Sequence, residues 1–189
     1  MNAARAADPP RCIIRACTPG DEAALALLGQ ASFLEAFAGT LRGADILSHC
    51  ARRHAPEVYR DWLANPHIDA WLAQAEHGGA PVGYLVMSPP DRADLPLPDL
   101  GAHDAEIKRI YLLHRFQGLG LGAALMQVAR TRALERGAHR LVLGVYAGNH
   151  AAIAFYRAQG FQPAGRRTFR VGESDCEDLI MVCALAAAG

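Results

Sequence analysis

The stretch 104–136, DAEIKRIYLLHRFQGLGLGAALMQVARTRALER, most constrains what this chain can fold into. Residues 104–113 are rich in β-branched and aromatic side chains and predict a strand. Gln117-Gly118-Leu119-Gly120-Leu121-Gly122 follows at once. Beyond it Leu121, Ala124, Leu125, Val128 and Ala129 recur at helical spacing. A helix that begins inside a glycine run presents unpaired backbone N–H groups and the positive end of its dipole. Glycines at 118, 120 and 122 let an anion approach the main chain, so the turn predicts a phosphate cradle.

Three phosphate-binding patterns compete for that turn. A P-loop requires G-x-x-x-x-G-K-[ST], but the one lysine of the chain, Lys108, precedes the glycines. A dinucleotide loop, G-x-G-x-x-G/A, is satisfied by Gly118, Gly120 and Ala123. It also needs an acid near the end of the next strand and a second βαβ half. The next strand, 141–146, carries neither Asp nor Glu, and no sibling half is visible. The third pattern, [RQ]-x-x-G-x-[GA], is matched at every fixed position by Gln117, Gly120 and Gly122.

That third pattern is the pyrophosphate loop of acyl-coenzyme A transferases, and here the chain resembles the GNAT acetyltransferase superfamily. The likeness continues at 149–161, NHAAIAFYRAQGF, which is similar to the superfamily's N-x-x-A-[IR]-x-[FL]-Y-x-x-x-G-F. It spans roughly residues 13–185. Two segments, 106–112 (EIKRIYL) and 168–181 with its TFRVG and DLIM, resemble the PaiA-type spermidine/spermine acetyltransferases. The resemblance implies an α/β fold with a mixed, mostly antiparallel sheet, a splayed central strand pair and flanking helices.

Composition narrows the partners. The chain has 189 residues, 51% of them hydrophobic, and a formal net charge of zero. That length supports a single domain with a real core, expected over 11–189 after a disordered tail at 1–10. Zero net charge argues against a nucleic-acid or anionic-membrane binder, and no apolar run is long enough to cross a bilayer. The five Cys are odd in number and form no C-x-x-C pair, as expected of reduced thiols in a cytoplasmic protein. The scattered His residues suggest no metal site.

Along the chain, 12–17 predicts a first strand. Thr18-Pro19-Gly20-Asp21-Glu22 predicts a helix start with Thr18 as cap and Leu25, Leu28, Phe33 and Phe37 as the buried face. Short helices at 44–54 and 56–64 and strands at 67–76 and 81–87 follow. Residues 88–101, with four Pro and three Asp, form a loop. It is either a solvated connector or an acidic rim beside a substrate mouth. A strand at 139–147, a helix from Asn149 to Gln159 closed by Gly160, and a hairpin of 161–171 with 176–185 complete the chain. Residues 184–189 are expected to fray.

Within the central strand the apolar alternation slips between Ile107 and Ile110, which predicts a β-bulge near Lys108-Arg109. By resemblance, acetyl-coenzyme A lays its pantetheine arm along the splayed strand. It bonds main-chain groups of Ile110, Tyr111 and Leu112, with its pyrophosphate on Gln117, Gly118, Leu119, Gly120, Leu121 and Gly122. Tyr156 is the implied general acid for the departing thiolate, with core packing as the alternative. Asn149 either meets the cofactor or caps its helix. Glu106 is the candidate base or ammonium binder, with a structural ion pair as the alternative. The implied activity is direct acetyl transfer to a small amine or polyamine, with an acyl-enzyme not expected. A peptide N-acetyltransferase and a non-catalytic acyl-coenzyme A regulator stand as alternatives, and a homodimer is open. A polycation would use acids drawn from Glu35, Asp99, Asp104, Glu106, Glu173, Asp175, Glu177 and Asp178, with ordinary surface charge as the alternative reading for most of them. Arg166, Arg167 and Arg170 would oppose a polycation or bind the cofactor's ribose phosphate.

Overall fold

The computed structural model describes residues 11–186. The tail expected at 1–10 and the last residues of the fraying end lie outside them. In chain order the elements are β1 (Cys12–Ala16), α1 (Glu22–Phe37), α2 (Gly43–Arg53), α3 (Pro56–Ala64), β2 (Asp69–Ala75) and β3 (Pro81–Ser88). Then come β4 (Asp104–Leu112), a 3-10 turn (His114–Phe116), α4 (Leu121–Glu135), β5 (Arg140–Tyr146), α5 (His150–Ala158), β6 (Gln162–Val171) and β7 (Ser174–Ala184). One seven-stranded sheet runs β1-β2-β3-β4-β5-β7-β6. Every pairing is antiparallel except β4 with β5. This is the mixed, mostly antiparallel α/β sheet that the resemblance implied.

The centre of the sheet is where it fails to close. β4 pairs with β5 only at Asp104, Ala105 and Glu106, opposite Arg140, Leu141 and Val142. Beyond them the β5-facing edge of β4 has no strand beside it. On its other side β4 pairs with β3, and the register jumps there, with Val86 opposite Arg109 but Met87 opposite Ile107. Lys108 is the extra residue, so the bulge falls where the alternation slipped. A bulge sharpens twist and bends its strand, which carries β4 away from β5. It also moves later side chains to the opposite phase. Ile107, Ile110 and Leu112 therefore pack with α4, while Glu106, Lys108, Arg109 and Tyr111 border a cavity on the other face.

Helices cover both faces. On one, Leu125, Met126, Ala129 and Ala133 of α4 are buried against Leu85, Met87, Leu141 and Leu143. Ala124, expected on that face, is exposed, because the buried stripe follows 125, 129 and 133 rather than 121, 124 and 128. On the other face α1 and α3 bury Leu25, Leu28 and Tyr59 against Leu72, Tyr84 and Val86. Thr18 does not cap α1. Asp21 occupies that place, and its carboxylate takes the Thr18 N–H at 2.8 Å and two bonds from Arg15 at 2.7 Å. The Arg15 contact holds the Asp21 carboxyl down at about 2.

The Pro-rich segment 88–101 is no loose connector. Leu95, Leu97 and Leu100 are buried against Val142 and Ile180. The β6–β7 turn is tighter than expected, with strand pairing reaching Val171 and Ser174. Among the described residues no helix is long and apolar enough to cross a membrane.

Gly29 is where α1 comes closest to the buried polar cluster beneath it. A Cβ there would lie 2.1 Å from His54 Nδ1 and 2.3 Å from the Tyr59 hydroxyl. Glycine to alanine inside a helix ordinarily stabilises by ~1 kcal/mol. Here the methyl has no room, and overpacking costs ~1–3 kcal/mol. Gly29→Ala should therefore lower the midpoint of thermal unfolding followed by circular dichroism, and a raised midpoint would contradict the close approach.

Candidate active site

The glycine turn folds as its residue types require. Gly118 (φ 73°) and Gly120 (φ 81°) sit in the left-handed region that only glycine enters freely. Gly120 is the N-cap of α4, and the first helical bond runs from Ala124 N to Gly120 O at 3.0 Å. The N–H groups of Leu121, Gly122 and Ala123 thus have no partner within the helix. No atom lies within 4 Å of where a Cβ would stand on Gly118 or Gly120. The cradle is open space facing a helix start, a fit for a diphosphate.

From this cradle a cavity continues into the gap between β4 and β5. Ile110, Leu112, Gln117, Asn149 and Tyr156 border both the cradle and the gap. The gap holds about 300 Å³. Gln117 donates from Nε2 to Leu112 O at 3.1 Å, so the Leu112 carbonyl points away from β3. Strand periodicity turns the main chain of Ile110 the same way. Asn149 caps α5, accepting from Ala152 N at 3.0 Å, and its side-chain nitrogen keeps no partner among the described residues. Leu119 is exposed, so its contribution and that of Leu121 would be through main chain. Tyr156 is 8% exposed and packs beside Phe155 and Phe161. Burial, with the nearby Tyr111 hydroxyl, pushes its phenol well above the ordinary tyrosine value.

The structure separates two of the expected residues from the rest. Glu106 and the Tyr111 side chain border a second cavity of about 200 Å³ on the α1–α3 face. It meets the gap along Lys108, Arg109, Tyr111, Gly144 and Tyr146. Glu106 is 5% exposed. Its carboxylate sits 3.1 Å from Lys108 Nζ and accepts the Asp91 N–H at 3.4 Å. Burial raises its affinity for a proton, and Lys108 opposes the rise. Its ion-pair partner is thus the bulge lysine. Asp94, from the Pro-rich segment, also reaches Lys108.

The remaining acids expected to hold a polycation are already engaged. Asp99 and Asp104 pair with Arg140, and Glu173 pairs with Arg42. On the last hairpin Asp175, Glu177 and Asp178 pair with Arg170, Arg166 and Arg167. Glu35 borders the gap and accepts the His114 N–H at 3.3 Å.

The groups sequence reasoning missed sit around Arg109. Its guanidinium donates to Tyr59 Oη at 2.5 Å, His54 Nδ1 at 3.2 Å and Arg53 O at 2.5 Å. It lies over the rings of Trp62 and Tyr59, 4.6 and 5.1 Å from their centroids. Tyr59 Oη also contacts Tyr84 Oη at 2.7 Å. His54 Nδ1 also lies 2.8 Å from Tyr59 Oη, so imidazole, phenol and guanidinium form one buried polar cluster. His49 stacks on Phe33 with centroids 4.1 Å apart. Burial, then Arg109, push the His49 imidazole down to about 4 and that of His54 to about 2. The available signal was the pairing of His49 and His54 about one turn and a half apart, on α2 and just past its end, opposite an arginine in a bulge.

The Acetyltransferase (GNAT) family model matches residues 37–161. The chain belongs to the GNAT family. It is similar to an uncharacterised N-acetyltransferase of Mycobacterium tuberculosis, 34% identical over 124 residues, 66% of this chain and 72% of that one. Its fold is similar to that of the PaiA N-acetyltransferase of Thermoplasma acidophilum solved with coenzyme A. The TM-score is 0.74 at 20% identity, covering 92% of this chain and 99% of that one. It is also similar to the ribosomal-protein-alanine N-acetyltransferase of Brucella melitensis, with TM-score 0.65 and 26% identity over 92% of this chain and 99% of that one. Among the described residues no three His, Cys, Asp or Glu side chains cluster as a metal site would.

Two buried neutral histidines give this GNAT domain an acid-side liability. Their folded pKa values lie below the unfolded value of about 6.5. Their contribution to stability is full above that pH and is lost as pH falls towards about 4 for His49. Each changes the slope by up to ~1.4 kcal/mol per pH unit. In chemical denaturation between pH 7 and 4, His49→Gln should show a shallower loss of stability than the parent. An unchanged slope would mean His49 is not held neutral.

Proposed function

We propose that this protein transfers an acetyl group from acetyl-coenzyme A to a primary amine by direct attack in a ternary complex. The observation that carries the proposal is one continuous cavity. It begins at the open glycine cradle, follows the unpaired edge of β4 and reaches Tyr156. The second cavity, opening onto it across the bulge, is the place for the acceptor.

When bound, acetyl-coenzyme A supplies the activated acyl group as a thioester. The N–H groups at the start of α4 and the glycines 118, 120 and 122 hold its diphosphate. The main chain of Ile110 and Leu112 bonds the pantetheine arm as a neighbouring strand would, with Tyr111 between them turned to the acceptor side. An N–H on this edge also steadies the oxygen that gains charge as the amine adds to the carbonyl.

Proton transfer is shared between two residues. Tyr156 keeps its proton at neutral pH because burial disfavours the phenolate. It delivers that proton to the sulfur as the carbon–sulfur bond breaks. An alkyl ammonium must lose a proton before it attacks, and Glu106 takes it, with water as relay. Burial gives Glu106 the basicity for this, and Lys108 keeps it charged until the amine arrives. None of the five Cys borders the gap, cradle or acceptor cavity, which favours direct transfer over an acyl-enzyme. A silent regulator would have no use for a protonated phenol at the end of the gap.

A thiol-release assay with acetyl-coenzyme A over a panel of amines tests the activity itself. Tyr156→Phe should lower turnover roughly ten- to a thousandfold while calorimetric affinity for coenzyme A stays unchanged. Equal turnover would remove Tyr156 from the mechanism. Gly120→Val places a branched side chain at positive φ inside the cradle, so coenzyme A binding should disappear while the far-ultraviolet spectrum keeps its folded shape. Retained binding by a folded variant would sink the cradle assignment.

A further inference from the structure

We propose that the acceptor is a primary amine that also carries a carboxylate, and that this carboxylate seats on Arg109. The inference rests on the acetyl-transfer reading and names the substrate class of the same site.

The charges of the acceptor cavity carry the argument. Lys108 is matched by Glu106 and Asp94, and Arg167 by Asp178. Arg109 and Arg53 border the same cavity, and neither has a carboxylate partner among the described residues. A half-buried guanidinium without a counter-ion is costly, because its neutral hydrogen bonds and ring contacts replace only part of its hydration. Arg109 has five N–H donors. Nη1 serves Tyr59 and His54, and one N–H on Nη2 serves Arg53 O. Among the described residues the Nε–H and a second Nη2–H have no partner. A pair of donors on a planar guanidinium matches the two oxygens of a carboxylate.

Further observations point the same way. Ser32 borders the gap together with Arg109, and its buried hydroxyl has no hydrogen-bond partner among the described residues. A polar acceptor would satisfy it. His49 and His54 stay neutral, so neither adds charge beside the arginines near neutral pH. Arg53 also borders a shallower opening with Arg52 and Arg170, so the basic character continues to the surface. The walls supply Phe33, Phe37, Trp62, Tyr111, Tyr146 and Phe169, a lining for an apolar or aromatic body carried beside the amine and carboxylate. A polyamine would meet Arg109 with like charge.

The test compares amines that share one aromatic body and differ in the anion, with spermidine as the polycation. L-Phenylalanine, its amide, phenethylamine, the matching aminophosphonate and spermidine are assayed by thiol release with the full chain. The carboxylate should exceed the amide and phenethylamine by tenfold or more in kcat/KM, with spermidine lowest. Arg109→Gln should cut kcat/KM for the carboxylate by about a hundredfold and far less for the amide, so that the carboxylate-to-amide ratio collapses, and Arg109→Lys should restore part of that ratio. If the amide, phenethylamine or spermidine matches the carboxylate on the parent enzyme, the inference is overturned while acetyl transfer stands. A preference for the phosphonate overturns the carboxylate assignment. If coenzyme A binds and no amine releases thiol, the acetyl-transfer reading falls and takes this one with it. Should Arg109→Gln fail to fold, the parent panel still decides.

Discussion

Lys108 is one residue too many for the ladder between β3 and β4. An antiparallel pair absorbs such an insertion by bending the longer strand and twisting it harder. The bend leaves β4 without β5 beyond Glu106, and unpaired backbone in the middle of a sheet is a standing demand for a hydrogen-bonding partner. The same insertion sets Lys108 beside Arg109 on one face and returns Ile110 and Leu112 to the other. The gap and the wall of the second cavity are therefore two products of a single irregularity.

The two cavities meet at that irregularity but differ in character. On the α4 side the chemistry is backbone: free N–H groups at a helix start, an unpaired strand edge, and side chains small enough to stay out of the way. Gly122 shows how tight this is, since a Cβ there would press on Phe155 at 3.2 Å. On the α1 side the chemistry is side chain, an aromatic box around an arginine. Gly144 joins the two, because the Arg167 guanidinium lies where its Cβ would be, at 2.5 Å.

Much of this was readable in the chain because it depends on local spacing. The strand–glycine–helix order, the cap Asn149, the left-handed Gly160 and even the bulge leave marks within a few residues of themselves. The acceptor side did not, because its groups come from α1, α2, α3, β3 and β4 and become neighbours only when the sheet forms. His49, His54, Tyr59, Tyr84 and Arg109 carry no common spacing. The pairing of the acids was hidden for a related reason. Asp175, Glu177 and Asp178 cluster in sequence beside arginines that lie on the opposite strand, so their charge is spent across the hairpin. Thr18 was a plausible cap by type, but Arg15 and Asp21 organise that end of α1 instead.

The anchoring of the Pro-rich segment has a consequence for how the molecule works. Prolines and aspartates give it the look of a flap, yet Leu95 and Leu100 are fully enclosed, and Asp94 and Asp91 brace the acceptor side through Lys108 and Glu106. Swinging it aside would tear apolar surface out of a packed cluster. The stretch thus serves as fixed wall, and an opening lined by Arg52, Arg53, Arg170 and Gly172 remains at α2 and the hairpin tip.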